Sequence, residues 1–234
     1  MVPVPFFSRL NIPEQLRCID VDVSAQELDE AMAVRSRFFL EDGPGAYMVD
    51  IVRAFRPVMG ASVYIEVGTR DKGNIAWLQR HLNPNALIID VDLEQIGESK
   101  QRLVNYLLPT VSYLTIEGDS VNINTVKKVE SALNGRNADA IFLDSSHMYN
   151  HILREFDLYF NLLRPGGILL IHDVFWEGND TEKGKAQALE FIDRYFPVYA
   201  VYMNEPIRRF FPLANKDDVW GGVGIIIKPA ESQS

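Results

Sequence analysis

Residues 140–173 read AIFLDSSHMYNHILREFDLYFNLLRPGGILLIHD, and this stretch decides the fold. Two apolar runs, Ala140–Leu143 and Ile168–Ile171, have the length and composition of buried strands. Each ends in polar side chains of the ligand type: Asp144 with His147, and His172 with Asp173. Between them lie an amphipathic helix, Tyr149–Leu163, and a Pro-Gly-Gly turn. The helix sets Ile152, Phe156, Tyr159 or Phe160, and Leu163 on one stripe. The unit is β-α-β, and a right-handed crossover makes its strands parallel, with both polar ends at one edge of the sheet. Ligands of open α/β sheets bind at that carboxyl edge. Three of the four histidines fall between residues 147 and 172. Stability alone explains the strands and the helix, but not acid and imidazole at both strand ends.

Outward from this unit the same alternation continues. Strands are expected at Val63–Val67, Leu87–Val91 and Tyr113–Ile116, as near-continuous apolar runs suited to a sheet covered on both faces. Helices are expected at about Asn74–Leu82, Glu94–Leu107, Thr125–Leu133 and Glu182–Tyr195. Upstream, Ser24 and Glu27 form a capping box that opens a helix through about Leu40. Glu41–Gly45 is a break, and a second helix covers Tyr47–Phe55 and stops before Pro57. Downstream the pattern changes. Val198–Met203 and Val223–Lys228 both read as strands with no helix between them, which predicts antiparallel pairing. The fold class is therefore α/β, a mostly parallel seven-stranded sheet with one antiparallel strand near the C-terminus and helices on both faces.

With 234 residues, 47% of them hydrophobic, the chain can bury a full core. Residues 1–45 read as an N-terminal arm and helix, and residues 46–234 as one domain. A net charge of −9 argues against nucleic acid and anionic membranes as partners. No apolar run is long enough to span a bilayer. Cys18 is the only cysteine, which excludes an intrachain disulfide and a cysteine-based zinc site and fits a reducing, cytoplasmic setting.

The first expected strand runs into a glycine turn and a helix start, Glu66-Val67-Gly68-Thr69-Arg70-Asp71-Lys72-Gly73. Gly68 permits close approach of backbone to a ligand. The spacing is neither G-x-G-x-x-G nor a P-loop, and Glu66 suits a cationic ligand better than a phosphate. The second strand ends in Asp90-Val91-Asp92, about 25 residues past the glycine loop, where an acid can accept hydrogen bonds from ribose hydroxyls. Asp92, at the very end of the strand, is the better placed. These acids can equally favour the next helix N-terminus. After the third strand, Asp119 and Ser120 can meet an adenine edge or cap the following turn.

Together these residues resemble class I S-adenosylmethionine-dependent methyltransferases over roughly Tyr47–Pro229. The resemblance rests on E-x-G-x-x-x-x-G at Glu66–Gly73, the acid after the second strand, and the terminal antiparallel strand. It implies a Rossmann-like methyltransferase fold with S-adenosylmethionine as cofactor, bound by Glu66, Gly68, Thr69, Arg70, Gly73, Asp92, Asp119, Ser120 and Asp144. Asp144-Ser145-Ser146-His147 with His151, Arg164-Pro165-Gly166-Gly167, and His172-Asp173 are similar to a smaller group. That group contains metal-dependent macrolide sugar O-methyltransferases and cephalosporin hydroxylase-like proteins. The resemblance implies a divalent metal, Mg or Mn, on Asp144, His172 and Asp173, and a catalytic set of His147 as base with Asp144 and Asp173. One position departs: His172 stands where the group has an acid. Imidazole suits a transition metal better than magnesium. Without a metal, His172 would be a neutral histidine hydrogen-bonded at the strand end, and Asp173 would cap the next turn.

Methyl transfer needs an aligned acceptor and removal of its proton, and an unperturbed imidazole near pKa 6.5 can take that proton. The expected reaction is O-methylation of a small hydroxylated acceptor such as a sugar or polyol. Phe175–Lys185 and Asn204–Gly222, with Trp176, Arg208, Arg209, Phe210, Phe211 and Trp220, are candidate acceptor loops or core anchors. The helix Ser24–Leu40, with Phe38 and Phe39 at its end, is a candidate lid or homo-oligomer interface. The alternatives are a non-methylating, hydroxylase-like metal enzyme on the same fold, an NAD-binding oxidoreductase, and a non-catalytic nucleotide-binding protein.

Overall fold

Alternate residues of each central strand are apolar, and both sets are buried, on opposite faces of the sheet. The computed structural model describes residues 24–35, 37–38, 47–95, 97–174, 176, 178, 182–202 and 222–230. Its strands are β1 Val63–Val67, β2 Leu87–Asp92, β3 Ser112–Glu117, β4 Ala138–Leu143, β5 Leu163–His172, β6 Val198–Tyr202 and β7 Val223–Ile227. Its helices are α1 Ala25–Arg35, α2 Tyr47–Phe55, α3 Gly73–Leu78, α4 Gly97–Tyr106, α5 Ile123–Leu133, α6 Tyr149–Phe160 and α7 Lys185–Asp193. Tyr64, Ile88, Phe142, Leu170 and Ile225 pack with α1–α4. Ile65, Ile89, Ile141, Leu169 and Ile226 pack with α5–α7. Each such side chain, fully buried, contributes about 1.5–3 kcal/mol relative to exposure.

The sheet order is β3-β2-β1-β4-β5-β7-β6. The first five strands in sequence pair in parallel, and β7 lies antiparallel between β5 and the edge strand β6. Sequence neighbours step outward from β1 to β3, and the chain then crosses back to β4. The order reverses between β1 and β4, where α/β sheets open a crevice at their carboxyl ends.

Two boundaries differ from the sequence-based expectation for instructive reasons. The Pro-Gly-Gly segment is not a turn between helix and strand; it lies inside β5. Ala138 N–H donates to Leu162 O at 2.8 Å, which draws the chain into the sheet straight after α6. Leu163 is therefore the first residue of β5 rather than the last of the helix. The pairing then jumps from Ala138↔Leu163 to Ala140↔Ile168, so β5 bulges and Gly166 adopts φ +72°.

The capping box forms as expected: Ser24 N–H donates to Glu27 Oε2 at 3.0 Å, and Glu27 N–H to Ser24 Oγ at 3.2 Å. However, α1 stops at Arg35 rather than near Leu40, and Phe38 turns inward to meet Tyr106 edge-on, 5.4 Å between centroids. Phe38 is thus part of the core. The arm with Cys18, the Glu41–Gly45 break, Phe39, and Arg208, Arg209, Phe210, Phe211 and Trp220 lie outside the described residues. Among the described residues, no helix is long and apolar enough to cross a membrane.

Candidate functional site

The carboxyl ends of β1, β2, β3 and β4 stand in register: Val67 pairs with Val91 and Leu143, and Asp92 pairs with Glu117. The loops that follow them enclose a cleft of about 480 Å³. Gly68, Arg70, Asp92, Asp119, Ser120 and Asp144, six of the expected cofactor residues, line it, together with Leu93, Ser145, Ser146 and His151. Gly68 sits at φ +86°, and a Cβ there would lie 2.4 Å from Asp144 O. Only glycine lets the β1 loop cross the end of β4 this closely.

Three expected cofactor residues lie behind the lining. Gly73 is the buried first residue of α3. Thr69 is buried, with its hydroxyl 2.5 Å from Asp90 Oδ1. Glu66 is buried and accepts the Tyr64 hydroxyl at 2.6 Å. Burial pushes the Glu66 carboxyl up to about 8, with the charges of Asp144 and Asp90 adding to the shift and the Tyr64 hydrogen bond opposing it. Glu66 therefore carries a proton at neutral pH. Asn74 Nδ2 lies 3.4 Å from Glu66 Oε1, while Asn74 Oδ1 is buried without a partner. Turning that amide over would let the Glu66 proton satisfy the oxygen. Asp92, by contrast, reaches the cleft, held by Arg70 N–H donating to its Oδ2 at 2.7 Å.

At the β3 end, Ser120 and Ser145 both donate to Glu155 Oε1, the latter at 2.5 Å. His151 Nε2 lies 3.2 Å from the same oxygen and 3.1 Å from Ser120 Oγ. The Glu155 hydrogen bond raises the His151 pKa, against the opposing effect of burial. Asp119 Oδ1 accepts Val121 N–H at 3.1 Å, so it caps the turn and lines the cleft at once.

Beyond Asp144 the cleft adjoins a second cluster. His172 Nδ1 lies 2.9 Å from Asp144 Oδ1 and 3.4 Å from Asp173 Oδ2. His147 Nε2 lies 2.7 Å from Asp173 Oδ2, and the His147 ring meets Trp176 edge-on, 5.7 Å between centroids. Asp173 itself adopts φ +54°. Burial alone would lower the His172 pKa, but the charges of Asp144 and Asp173 outweigh it and raise it to about 10. Burial alone would raise Asp173; His172 first, then the His147 hydrogen bond, hold its carboxyl well below the usual range. Among the described residues, Asp144, His172 and Asp173 can bring one ligand atom each within 4.8 Å of one another. The observed spacings approach the ~3 Å between adjacent ligands on a small divalent ion with bonds of about 2.1 Å. The donor set thus fits a divalent cation, and in its absence an imidazolium neutralises the same carboxylates.

The model of the Rhamnosyl O-methyltransferase/CmcI family matches residues 47–201. The chain belongs to this family. It is an S-adenosylmethionine-dependent methyltransferase. No curated protein matches it. Similar solved structures include the O-methyltransferase from Bacillus cereus in complex with SAH, at 18% identity and TM-score 0.54, covering 88% of this chain and 92% of that one. TomG of tomaymycin synthesis from Streptomyces achromogenes, in complex with SAM, matches at 15% identity and TM-score 0.56, covering 89% and 92%. MycE of the mycinamycin pathway, in complex with Mg, SAH and mycinamycin VI, matches at 14% identity and TM-score 0.57, covering 88% of this chain and 56% of that one. At these identities the likeness concerns the fold.

Sequence reasoning did not single out Lys72, Tyr113, Glu155 or Lys185 in this methyltransferase, although the first three belong to the polar networks behind or beside the cleft, and Lys185 Nζ is buried without a hydrogen-bond partner. Lys72 and Lys185 are fully buried. Glu155 had one available signal: an acid on the same helical stripe as Ile152 and Tyr159, where an apolar residue is expected.

Proposed function

We propose that this methyltransferase transfers the methyl group of S-adenosylmethionine to a hydroxyl of a small acceptor, such as a sugar or polyol, with His147 as general base. The observation that carries the proposal is the position of Asp144. It borders the cleft on one side and touches His172 on the other, so the cofactor and the His147–Asp173 pair share one wall.

The cleft lining supports the roles that the resemblance implies. Asp92 faces the ribose, Gly68 and Arg70 lie along the methionine portion, and Asp119 with Ser120 meets adenine. Asp173 accepts Nε2–H of His147 and so places the ring's basic lone pair on Nδ1. The carboxylate also stabilises the imidazolium that forms when the acceptor proton is taken. Trp176 beside His147 offers an apolar face on which a sugar ring can pack. Asp144, His172 and Asp173 are the residues that would hold a divalent metal. Such an ion would lower the pKa of an acceptor hydroxyl. MycE, solved with Mg and mycinamycin VI, motivates the metal, and the rhamnosyl O-methyltransferase family motivates the sugar acceptor.

The test is calorimetric titration of S-adenosylmethionine into the protein, followed by a methyl-transfer screen over hydroxylated acceptors with and without EDTA. Micromolar binding and a methylated product support the reading. Binding without transfer to any hydroxylated acceptor, with or without metal, would overturn the acceptor class.

A further inference from the structure

The loop between β1 and α3 contains two non-glycine residues in the left-handed region, Arg70 at φ 38° and Lys72 at φ 66°. Such a conformation is unfavourable for a side-chain-bearing residue. Lys72 adds a second unfavourable feature. Its ammonium lies 2.7 Å from Asp90 Oδ2, and both side chains are 0% exposed. A fully buried ion pair is weak as a stabilising device, because desolvation of two charges offsets their attraction. A glycine facing an apolar β2 residue would serve stability as well or better. The pair therefore calls for a role other than holding the fold together.

The contacts of the pair supply that role. Asp90 is saturated: Oδ1 receives Thr69 Oγ1 at 2.5 Å and Gln95 Nε2 at 3.4 Å, while Oδ2 receives Lys72 and the Tyr113 hydroxyl. It has no capacity left for a ligand. Lys72 Nζ also donates to Thr69 Oγ1 at 2.9 Å. That hydroxyl oxygen lies 3.2 Å from Asp92 Oδ2, and the next residue of the loop, Arg70, donates its N–H to the same oxygen. Asp90 and Asp92 share one face of β2, so two carboxylates are brought together at the strand end. The Lys72 ammonium lies against the deeper one and fixes the hydroxyl that separates them. The outer one, Asp92, is left oriented at the cleft wall.

We infer that Lys72 and Thr69 are positioning residues for the cofactor: through the buried Asp90 they lock Asp92 and the β1 loop in the geometry that receives ribose hydroxyls. The inference rests on the S-adenosylmethionine reading of the cleft. Neither side chain is among the residues that line the cleft. Both act by keeping Asp92 aligned and at fixed distance from the loop backbone.

The experiment compares two probes by titration calorimetry: S-adenosylhomocysteine and its 2′,3′-dideoxyribose analogue. The proteins are the wild type, Thr69→Val, Thr69→Ser and Lys72→Met, with circular dichroism to confirm folding. Thr69→Val and Lys72→Met should weaken S-adenosylhomocysteine binding about tenfold or more, the equivalent of one misaligned hydrogen bond to a charged group. They should alter binding of the dideoxy analogue by less than about twofold, and Thr69→Ser should restore the wild-type value. In turnover, KM for S-adenosylmethionine should rise while kcat at saturation is retained. Should Lys72→Met not fold, Thr69→Val, which removes a single hydroxyl, decides alone. Wild-type affinity in Thr69→Val, or equal loss for both probes, overturns the inference and leaves a structural role. Failure of the wild type itself to bind S-adenosylhomocysteine overturns the cofactor reading, and the inference with it.

Discussion

Asp144 Oδ1 lies 2.9 Å from His172 Nδ1, so the carboxylate that walls the cleft is also the first member of the acid–imidazole cluster. The contact spans the ends of β4 and β5, neighbours in the sheet whose paired residues Leu143 and Ile171 directly precede it. It makes the nature of residue 172 a control on both sites. An imidazole in place of a carboxylate removes one negative charge and substitutes a borderline nitrogen for a hard oxygen.

The first prediction follows from that substitution. The wild-type protein should bind Mn²⁺ more tightly than Mg²⁺, because magnesium favours oxygen ligands and dehydrates reluctantly. His172→Glu should narrow or reverse the preference, and His172→Ala should weaken Mn²⁺ binding. Metal titrations followed by calorimetry, with Mn²⁺ electron paramagnetic resonance as a second readout, check this. An unchanged Mn²⁺ affinity in His172→Ala would show that the imidazole is not a ligand.

The His147–Asp173 pair gives the second. His147→Ala should lower kcat by about 10²–10⁴-fold, the usual contribution of a general base. Affinity for S-adenosylmethionine should stay within about twofold, because His147 is not among the residues lining the cleft. Asp173→Asn should also lower kcat, because an amide can donate to Nε2 and so favour the wrong tautomer for a base at Nδ1. Steady-state kinetics and calorimetry on the same preparations separate the two effects. Full turnover in His147→Ala would move the base elsewhere.

Much of this site was legible in the sequence because its residues follow apolar runs with clear ends. Val63–Val67 and Tyr47–Phe55 are observed with the expected bounds; Asp92 is the last residue of its strand, and Gly68, Asp119 and Asp144 each fall one or two residues past one. What the sequence hid was set by tertiary pairing. Nothing in the local pattern marks Lys72 as buried; its burial depends on Asp90, Thr69 and Tyr113, contributed by three separate segments. Pro165-Gly166-Gly167 reads as a turn by local chemistry, yet the partner strand β4 holds it in the sheet as a bulge. His172 was open between metal ligand and hydrogen-bonded histidine, and its position between two carboxylates suits either.

Gly68 provides the third prediction. Gly68→Ala would place a methyl group 2.4 Å from the Asp144 carbonyl oxygen and hold alanine at φ +86°. Backbone atoms on both sides must shift, because neither the β1 loop nor the end of β4 has a flexible side chain to yield. The strain is on the order of 1–3 kcal/mol, and the displaced walls are those of the cleft. Urea unfolding should show a loss of that order, and S-adenosylmethionine binding should fall at least tenfold. Retention of both would mean that the loop and β4 stand further apart in solution.

Glu66 makes the last prediction, about pH. Its carboxyl is raised from an ordinary value of 4.5 to about 8 in the folded protein, chiefly by burial. The folded state thus keeps a proton that the unfolded chain releases. The associated stability is fully present below the unfolded pKa and is lost as pH rises through the folded one. Between about pH 4.5 and 8 the loss approaches 1.4 kcal/mol per pH unit, for a total on the order of 5 kcal/mol. Glu66→Gln keeps the shape and the acceptor for Tyr64 but cannot ionise, so its stability should lack this decline. Urea denaturation of both proteins at pH 5, 6.5 and 8 should show the wild type falling relative to Glu66→Gln as pH increases. A constant difference across that range would mean that Glu66 is ionised throughout, with a compensating cation or water held against it in solution.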